Sequence, residues 1–206
     1  MSVNLSRRSL LSNLALLPVA FLLADSIAGM DVRPALALGG TLPDLEALAP
    51  DFSLEGVSPD TTGQPQPATL SRAAFLGRWL VLYFYPRDFT SGCTLEARGF
   101  QRDLPAFHQA GAEVVGVSAD DPDSHASFCG SEGLAYPLLS DPGGAVSRRY
   151  GSWMAPYSMR HTFLIDPQGS LRARWVGVNP SSHSSEVLAA LRTLQGATNA
   201  SSSAAS

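Results

Sequence analysis

The stretch Tyr83-Phe84-Tyr85-Pro86-Arg87-Asp88-Phe89-Thr90-Ser91-Gly92-Cys93-Thr94-Leu95-Glu96-Ala97 contains the change of period that decides the fold. The apolar run Trp79–Tyr85, bounded by Arg78 and Pro86 and rich in β-formers, predicts a strand buried on both faces. From Thr90 onward apolar residues recur at Leu95, Phe100, Leu104 and Phe107 until Gly111, and that spacing predicts a helix. Cys93 therefore falls where a strand ends and a helix begins, the position at which α/β sheets carry their reactive groups. A thiol in a first helical turn faces unpaired N–H groups and the positive end of the helix dipole, which favour anionic sulfur. The competing interpretation is a buried cysteine packing as a small hydrophobe; the polar neighbours Thr90, Ser91, Gly92 and Thr94 speak against it.

Further along the chain, Glu113–Ala119 predicts a second strand and Asp123–Glu132 a short helix carrying Cys129. Tyr136–Leu139 follows as a short strand and Ala145–Tyr150 as a helical turn. His161–Asp166 and Leu171–Val178 form a hairpin around Pro167-Gln168-Gly169, and Ser184–Leu194 is a closing helix. This order predicts an α/β fold with one central, mostly parallel or mixed sheet flanked by helices on both faces. Residues 38–50 read as a Gly/Pro/Leu linker, 51–195 as the folded domain with an irregular loop over 56–68, and 196–206 as a disordered Ala/Ser tail.

Composition narrows the function. A chain of 206 residues, 45% hydrophobic and 16% charged, fits a single globular domain. All 14 basic residues are arginine and the net charge is −4, so the basic stripe that nucleic-acid binding requires is missing. Two cysteines, Cys93 and Cys129, without a CxxC pair are too few for a disulfide scaffold or a four-cysteine zinc site. His108, His125, His161 and His183 lack metal-ligand spacing and read as solvated or capping residues.

Residues 1–37 have the layout of an export signal: Arg7 and Arg8 ahead of Ser9-Leu10-Leu11, an apolar run Leu14–Ala24, and the small-x-small site Ala35-Leu36-Ala37. The run is about half the roughly 20 residues a membrane span needs. The paired arginines resemble a twin-arginine signal, with an ordinary secretory signal or an uncleaved anchor as alternatives. No cysteine lies near the cleavage site, so no lipid anchor is expected there and no stable membrane anchor after cleavage. Export predicts a periplasm or a thylakoid lumen, where a disulfide can persist.

Pro86-x-x-x-Thr90-x-x-Cys93 resembles the active-site motif of the peroxiredoxins, and the run through Glu96 resembles their peroxiredoxin Q (bacterioferritin comigratory protein) branch. Arg160-His161-Thr162-Phe163-Leu164-Ile165-Asp166 is similar to that branch's strand bearing the active-site arginine, and Leu138-Leu139-Ser140-Asp141 also matches. The likeness extends from about Pro50 to Leu194. It implies a thioredoxin-like fold, no metal or organic cofactor, and a thiol-dependent peroxidase acting on hydrogen peroxide and organic hydroperoxides. Cys93 is then the peroxidatic thiolate, and Arg160 stabilises charge on sulfur and oxygen. Thr90 and the backbone N–H groups of Gly92 and Cys93 orient the peroxide, Pro86 shields the sulfur, and Glu96 holds Arg160.

Arithmetic for any thiol shows why the arginine matters. Lowering a pKa from about 8.5 to ~6 raises the thiolate fraction at pH 7 about thirtyfold, while a Brønsted slope near 0.45 returns about thirteenfold of that in lost nucleophilicity. Most of the acceleration must come from stabilising charge as the O–O bond breaks.

Attack leaves a sulfenic acid that needs a second thiol. Many members of the branch carry it five residues downstream, a position held here by Arg98. Cys129 resembles the resolving cysteine of a second subgroup, which implies a Cys93–Cys129 disulfide in a monomer, reduced by a thioredoxin-like dithiol. Disulfide geometry then requires the first turn around Cys93 and the segment 127–133 to loosen. Three alternatives stand beside this. One is a one-cysteine peroxiredoxin, and another is an exported thioredoxin-like binding domain with a structural disulfide. The third, a thioredoxin-like oxidoreductase, is disfavoured because Thr90 and Glu96 occupy the positions for its second cysteine.

Overall fold

Trp79–Phe84 is a strand in which every residue is buried. Trp79, Val81 and Tyr83 enter one apolar cluster, while Leu80, Leu82 and Phe84 enter a second on the opposite face. This is the two-residue alternation of a strand with no solvent side. The structure, a computed structural model, describes the backbone of residues 36–203 apart from Leu38, and the side chains of residues 39–197. The export signal read over 1–37 lies outside the described residues except for the backbone of Leu36 and Ala37.

In chain order the first strands are β1 (Leu36–Ala37), β2 (Gly40–Thr41), β3 (Ser53–Pro59), β4 (Pro65–Ser71), β5 (Trp79–Phe84) and β6 (Ala112–Ser118). They are followed by β7 (Leu138–Ser140), β8 (Trp153–Met154), β9 (Tyr157–Ser158), β10 (His161–Ile165) and β11 (Leu171–Val176). The helices are α1 (Ser91–Gln109), α2 (Pro122–Glu132), α3 (Ala145–Arg149) and α4 (His183–Ser203). Seven strands form the main sheet in the order β11-β10-β5-β6-β7-β3-β4. Parallel pairing is confined to β5, β6 and β7, and the remaining neighbours are antiparallel. The sheet is therefore mixed. Only the crossovers through α1 and α2 return the chain to start a parallel neighbour. Residues of α1, α2 and α4 pack in the cluster of Val81 and Tyr83, and Val146 of α3 packs in that of Leu82 and Phe84. The result is a thioredoxin-like layer arrangement with β5 at the centre and its C-terminal end feeding α1.

Several expectations are corrected. The stretch 56–68 is not an irregular loop: β3 and β4 pair antiparallel from Ser53 opposite Ser71 to Pro59 opposite Pro65. Pro65 and Pro67 are tolerated because β4 is an edge strand. Its turn is fixed by Asp60, whose Oδ1 accepts the N–H groups of Thr62 at 2.8 Å and Gln64 at 3.0 Å. Residues 39–50 are part of the domain rather than a linker. Leu42 and Ala49 are buried, and the N–H groups of Glu46 and Ala49 donate to Leu171 at 2.8 Å and Gly169 at 2.9 Å. Helix α4 continues past Leu194 to Ser203, in place of the tail expected from Gly196; its alanines have the highest intrinsic helix propensity. Leu95 belongs to the exposed face of α1 at 47% exposure, because Cys93, Glu96 and Ala97 take the inward positions of that turn.

The histidines also differ from expectation: only His108 is exposed, whereas His125, His161 and His183 are buried. Burial pushes His161 and His183 down to about 4, so the folded protein holds them neutral while the unfolded chain takes up protons near its ordinary value of 6.5. Their contribution to stability is complete above pH 6.5 and is lost as pH falls towards 4. The two histidines outweigh the single opposing contribution of Glu96, whose carboxyl is pushed up to about 7 by burial, so thermal melts across that window should show a falling midpoint, and a flat midpoint between pH 6.5 and 4.5 would contradict this assignment.

Candidate active site

Chain direction places the site. Strand β5 ends at Phe84, and Tyr85–Thr90 crosses its end before α1 begins at Ser91. Cys93 lies in the first turn of α1 and is 1% exposed. The N–H groups of that turn have no intrahelical acceptor and present positive charge at the helix end. Thr90 is the N-cap residue, but its hydroxyl makes no capping bond; Oγ1 donates to the carbonyl of Arg87 at 3.1 Å, and Thr90 is exposed. Pro86 is half-buried at the end of β5.

Arg160 arrives from a distant part of the chain through sheet register. Antiparallel pairing sets His161 of β10 opposite Phe84 of β5, so the residue before His161 stands beside the end of β5 where α1 starts. The backbone on both sides of Arg160 is tied down. Ser152 Oγ donates to the Met159 carbonyl at 2.8 Å and lies 2.9 Å from His161 Nδ1, while Val178 N–H donates to the Arg160 carbonyl at 3.2 Å.

The side chains converge at the sulfur. Arg160 Nη2 donates to Cys93 Sγ at 3.3 Å, and Nη1 donates to Glu96 Oε2. Glu96, three residues after Cys93 on the same face of α1, is 1% exposed, and its Oε1 has no protein partner. Burial pushes the Glu96 carboxyl up to about 7 against the opposing pull of Arg160. Burial pulls the guanidinium of Arg160 down, but the charges of Glu96 and Cys93 and its hydrogen bonds to both together outweigh it and hold the group above its ordinary value. One rigid fork thus spans a carboxylate and a sulfur, an arrangement an ammonium point charge could not reproduce.

The sequence points to Gly92 only through its N–H; in the structure its missing side chain matters too. A Cβ there would lie 3.2 Å from Arg160 Nη2, so glycine makes room for the guanidinium. Composition carries no signal of this, since the contact crosses from α1 to the start of β10. The expectation that Tyr83, Phe84 and Tyr85 are core residues matches their full burial.

Cys129 lies in α2, 3% exposed, in the same apolar cluster as Cys93. Both thiols are free. Burial, reinforced by the charge of Asp88, pushes the Cys129 thiol up to about 12, so in this arrangement it is protonated at neutral pH. Among the described residues no cluster of His, Cys, Asp or Glu is arranged to hold a metal ion, and no helix is long and apolar enough to cross a membrane.

Fold and site together define a thioredoxin-like enzyme centred on a thiol. Residues 45–174 match the AhpC/TSA family. The chain is 42% identical over 128 residues to peroxiredoxin Bcp of Xanthomonas campestris, covering 58% of this chain and 79% of that one. It is 35% identical over 150 residues to the chloroplastic peroxiredoxin Q of Sedum lineare, covering 71% and 76% respectively. A solved structure of Xanthomonas campestris peroxiredoxin Q superposes with a TM-score of 0.60 at 37% identity, over 69% of this chain and 90% of that one. The protein belongs to the AhpC/TSA family, in its Bcp/peroxiredoxin Q branch, and is a thiol-dependent peroxidase.

Proposed function

We propose that Cys93 is the sulfur that attacks peroxide and that Cys129 resolves the resulting sulfenic acid within the same chain. The observation that carries the reading is the Arg160 fork, with one nitrogen on Cys93 Sγ at 3.3 Å and the other on the buried Glu96. Positive charge fixed beside the sulfur stabilises negative charge both there and on the departing oxygen, with no reorganisation at the moment of reaction. Thr90 stands at the exposed lip of the first turn, where its hydroxyl and the free N–H groups of Gly92 and Cys93 orient the peroxide. Pro86, half-buried just past the end of β5, shields the sulfur from water in this reading.

The sulfenic acid condenses with the Cys129 thiol to give a disulfide and water. Both cysteines are buried and sit on separate helices, so in this reading α2 and the first turn of α1 loosen to bring the sulfurs within bonding geometry. A dithiol of the thioredoxin type then reduces the disulfide. In this reading the cycle runs within a single chain, with Cys93 and Cys129 as its two thiols. Both hydrogen peroxide and organic hydroperoxides are substrates in this reading; a relative of solved structure, the bacterioferritin comigratory protein of Xanthomonas campestris, has alkyl peroxide reduction activity. The twin-arginine-like Ser6–Leu11 segment supports a periplasm or thylakoid lumen as the compartment of the cycle.

Mass spectrometry after one equivalent of hydrogen peroxide tests the resolving step: a Cys93–Cys129 link is expected in the wild type, and a lasting sulfenic acid in Cys129→Ser. A lasting sulfenic acid in the wild type would instead mark a one-cysteine enzyme. Glu96 acts as a positioning residue through Arg160. Glu96→Gln, which keeps an acceptor for Nη1, should lower kcat/KM about tenfold, and Glu96→Ala about a hundredfold, by analogy with other residues that orient a reacting group. Equal losses in the two variants would remove the positioning role.

A further inference from the structure

Asp88, five residues before Cys93, is a carboxylate at 3% exposure, which is costly unless every oxygen is satisfied. Its partners satisfy both. Tyr85 O–H donates to Oδ1 at 2.7 Å, Ser124 O–H donates to Oδ2 at 2.8 Å, and His125 Nδ1 lies 2.9 Å from Oδ2. The Asp88 N–H donates to Asp120 Oδ2 at 2.9 Å, ahead of the same helix. Ser124 and the fully buried His125 belong to α2, and Cys129 lies one helical turn beyond His125. The next residue of the loop, Phe89, adopts a positive φ of 59° and is 56% exposed, yet sets its ring 5.1 Å from that of Phe128, the neighbour of Cys129. Among the described residues, the ion pair that joins α1 and α2 themselves, Arg98 with Glu132 at 2.5 Å, has an arginine 65% exposed and is screened by water.

The loop that leads into one cysteine is therefore bolted, through buried charge, to the helix that carries the other. This bears on the resolving role proposed for Cys129, on which the inference rests. Forming the disulfide makes the S–S bond and breaks the S–O bond of the sulfenic acid, and the oxygen leaves as water with the thiol proton. A disulfide needs its two Cα atoms within roughly 7 Å, and the segments that the proposed resolving step moves, the first turn of α1 and α2, are the ones this network joins.

We propose that Asp88, His125 and Ser124 form a positioning clamp that holds the helix of Cys129 on the loop of Cys93 in the thiol form, and that its opening sets the rate of disulfide formation. Contacts present in the thiol form and lost in the disulfide also favour reduction, so the clamp keeps the disulfide easy for an outside dithiol to reduce.

Stopped-flow mixing of the full-length protein with hydrogen peroxide separates a peroxide-dependent phase, attack by Cys93, from a peroxide-independent phase, disulfide formation. Asp88→Asn should leave the first phase within about threefold and speed the second about tenfold, the effect of losing one charged hydrogen bond. Ser124→Ala should speed the second phase about threefold and carries the test if Asp88→Asn does not fold. In redox titration Asp88→Asn should favour the disulfide about tenfold, a midpoint about 30 mV more negative for this two-electron couple. A second phase that is unchanged or slower, or a first phase that falls in proportion, overturns the clamp. Cys129→Ser separates the two ideas. If it keeps the second phase, the resolving role of Cys129 and the clamp fall together; if it loses that phase while Asp88→Asn behaves as wild type, only the clamp falls.

Discussion

Replacing Cys93 with serine is expected to abolish peroxide turnover, by about four orders of magnitude or more, the loss seen when a covalent nucleophile is removed. The hydroxyl is nearly the same size, and at 1% exposure it would still face the Arg160 guanidinium, so the fold should survive. What disappears is a soft nucleophile; a hydroxyl ionises far less readily than a thiol, and the arginine is not a base that could take its proton. Peroxide consumption with a generic dithiol reductant checks this, with circular dichroism confirming the fold. Full activity in Cys93→Ser would mean that the reacting atom lies elsewhere. Cys129→Ser should instead keep the single-turnover reaction with peroxide.

Arg160→Met is expected to lower kcat/KM about a hundred- to a thousandfold, the range found for removing one preorganised donor to developing negative charge, or about 3–4 kcal/mol. It also strands Glu96, whose carboxyl is already pushed up to about 7 by burial and would rise further without its cationic partner. Arg160→Lys tests geometry against charge. An ammonium on a flexible stem cannot reach Glu96 and Cys93 at once as the planar fork does, so lysine should recover less than about tenfold of the loss. A lysine variant close to wild type would show that net charge alone is required. Double-mutant cycles with Glu96→Gln should show strong coupling, because both groups act on one sulfur through one hydrogen-bonded chain.

Legibility differs from element to element. The period change between Tyr85 and Thr90 predicts β5 and α1 closely, because a doubly buried strand and an amphipathic helix leave unlike marks on a sequence. The hairpin β3–β4 leaves almost no mark: its edge strand carries two prolines and few apolar residues, and its stability comes from cross-strand pairing that local composition does not report. The buried histidines escape a sequence reading for the same reason. A histidine on α2 looks solvated until Asp88, in a loop before another helix, is seen to meet its ring.

Neighbouring residues and short motifs are thus enough to define the strand-to-helix step, the thiol in the first helical turn and, through family resemblance, the arginine that pairs with it. Packing in three dimensions was needed to establish that Glu96 is buried against Arg160, that Gly92 leaves space for the guanidinium, and that Asp88 bridges to the helix of Cys129. Those contacts arise where sheet register and helix packing bring distant segments together, and neither local propensity nor periodicity encodes which residues will meet there.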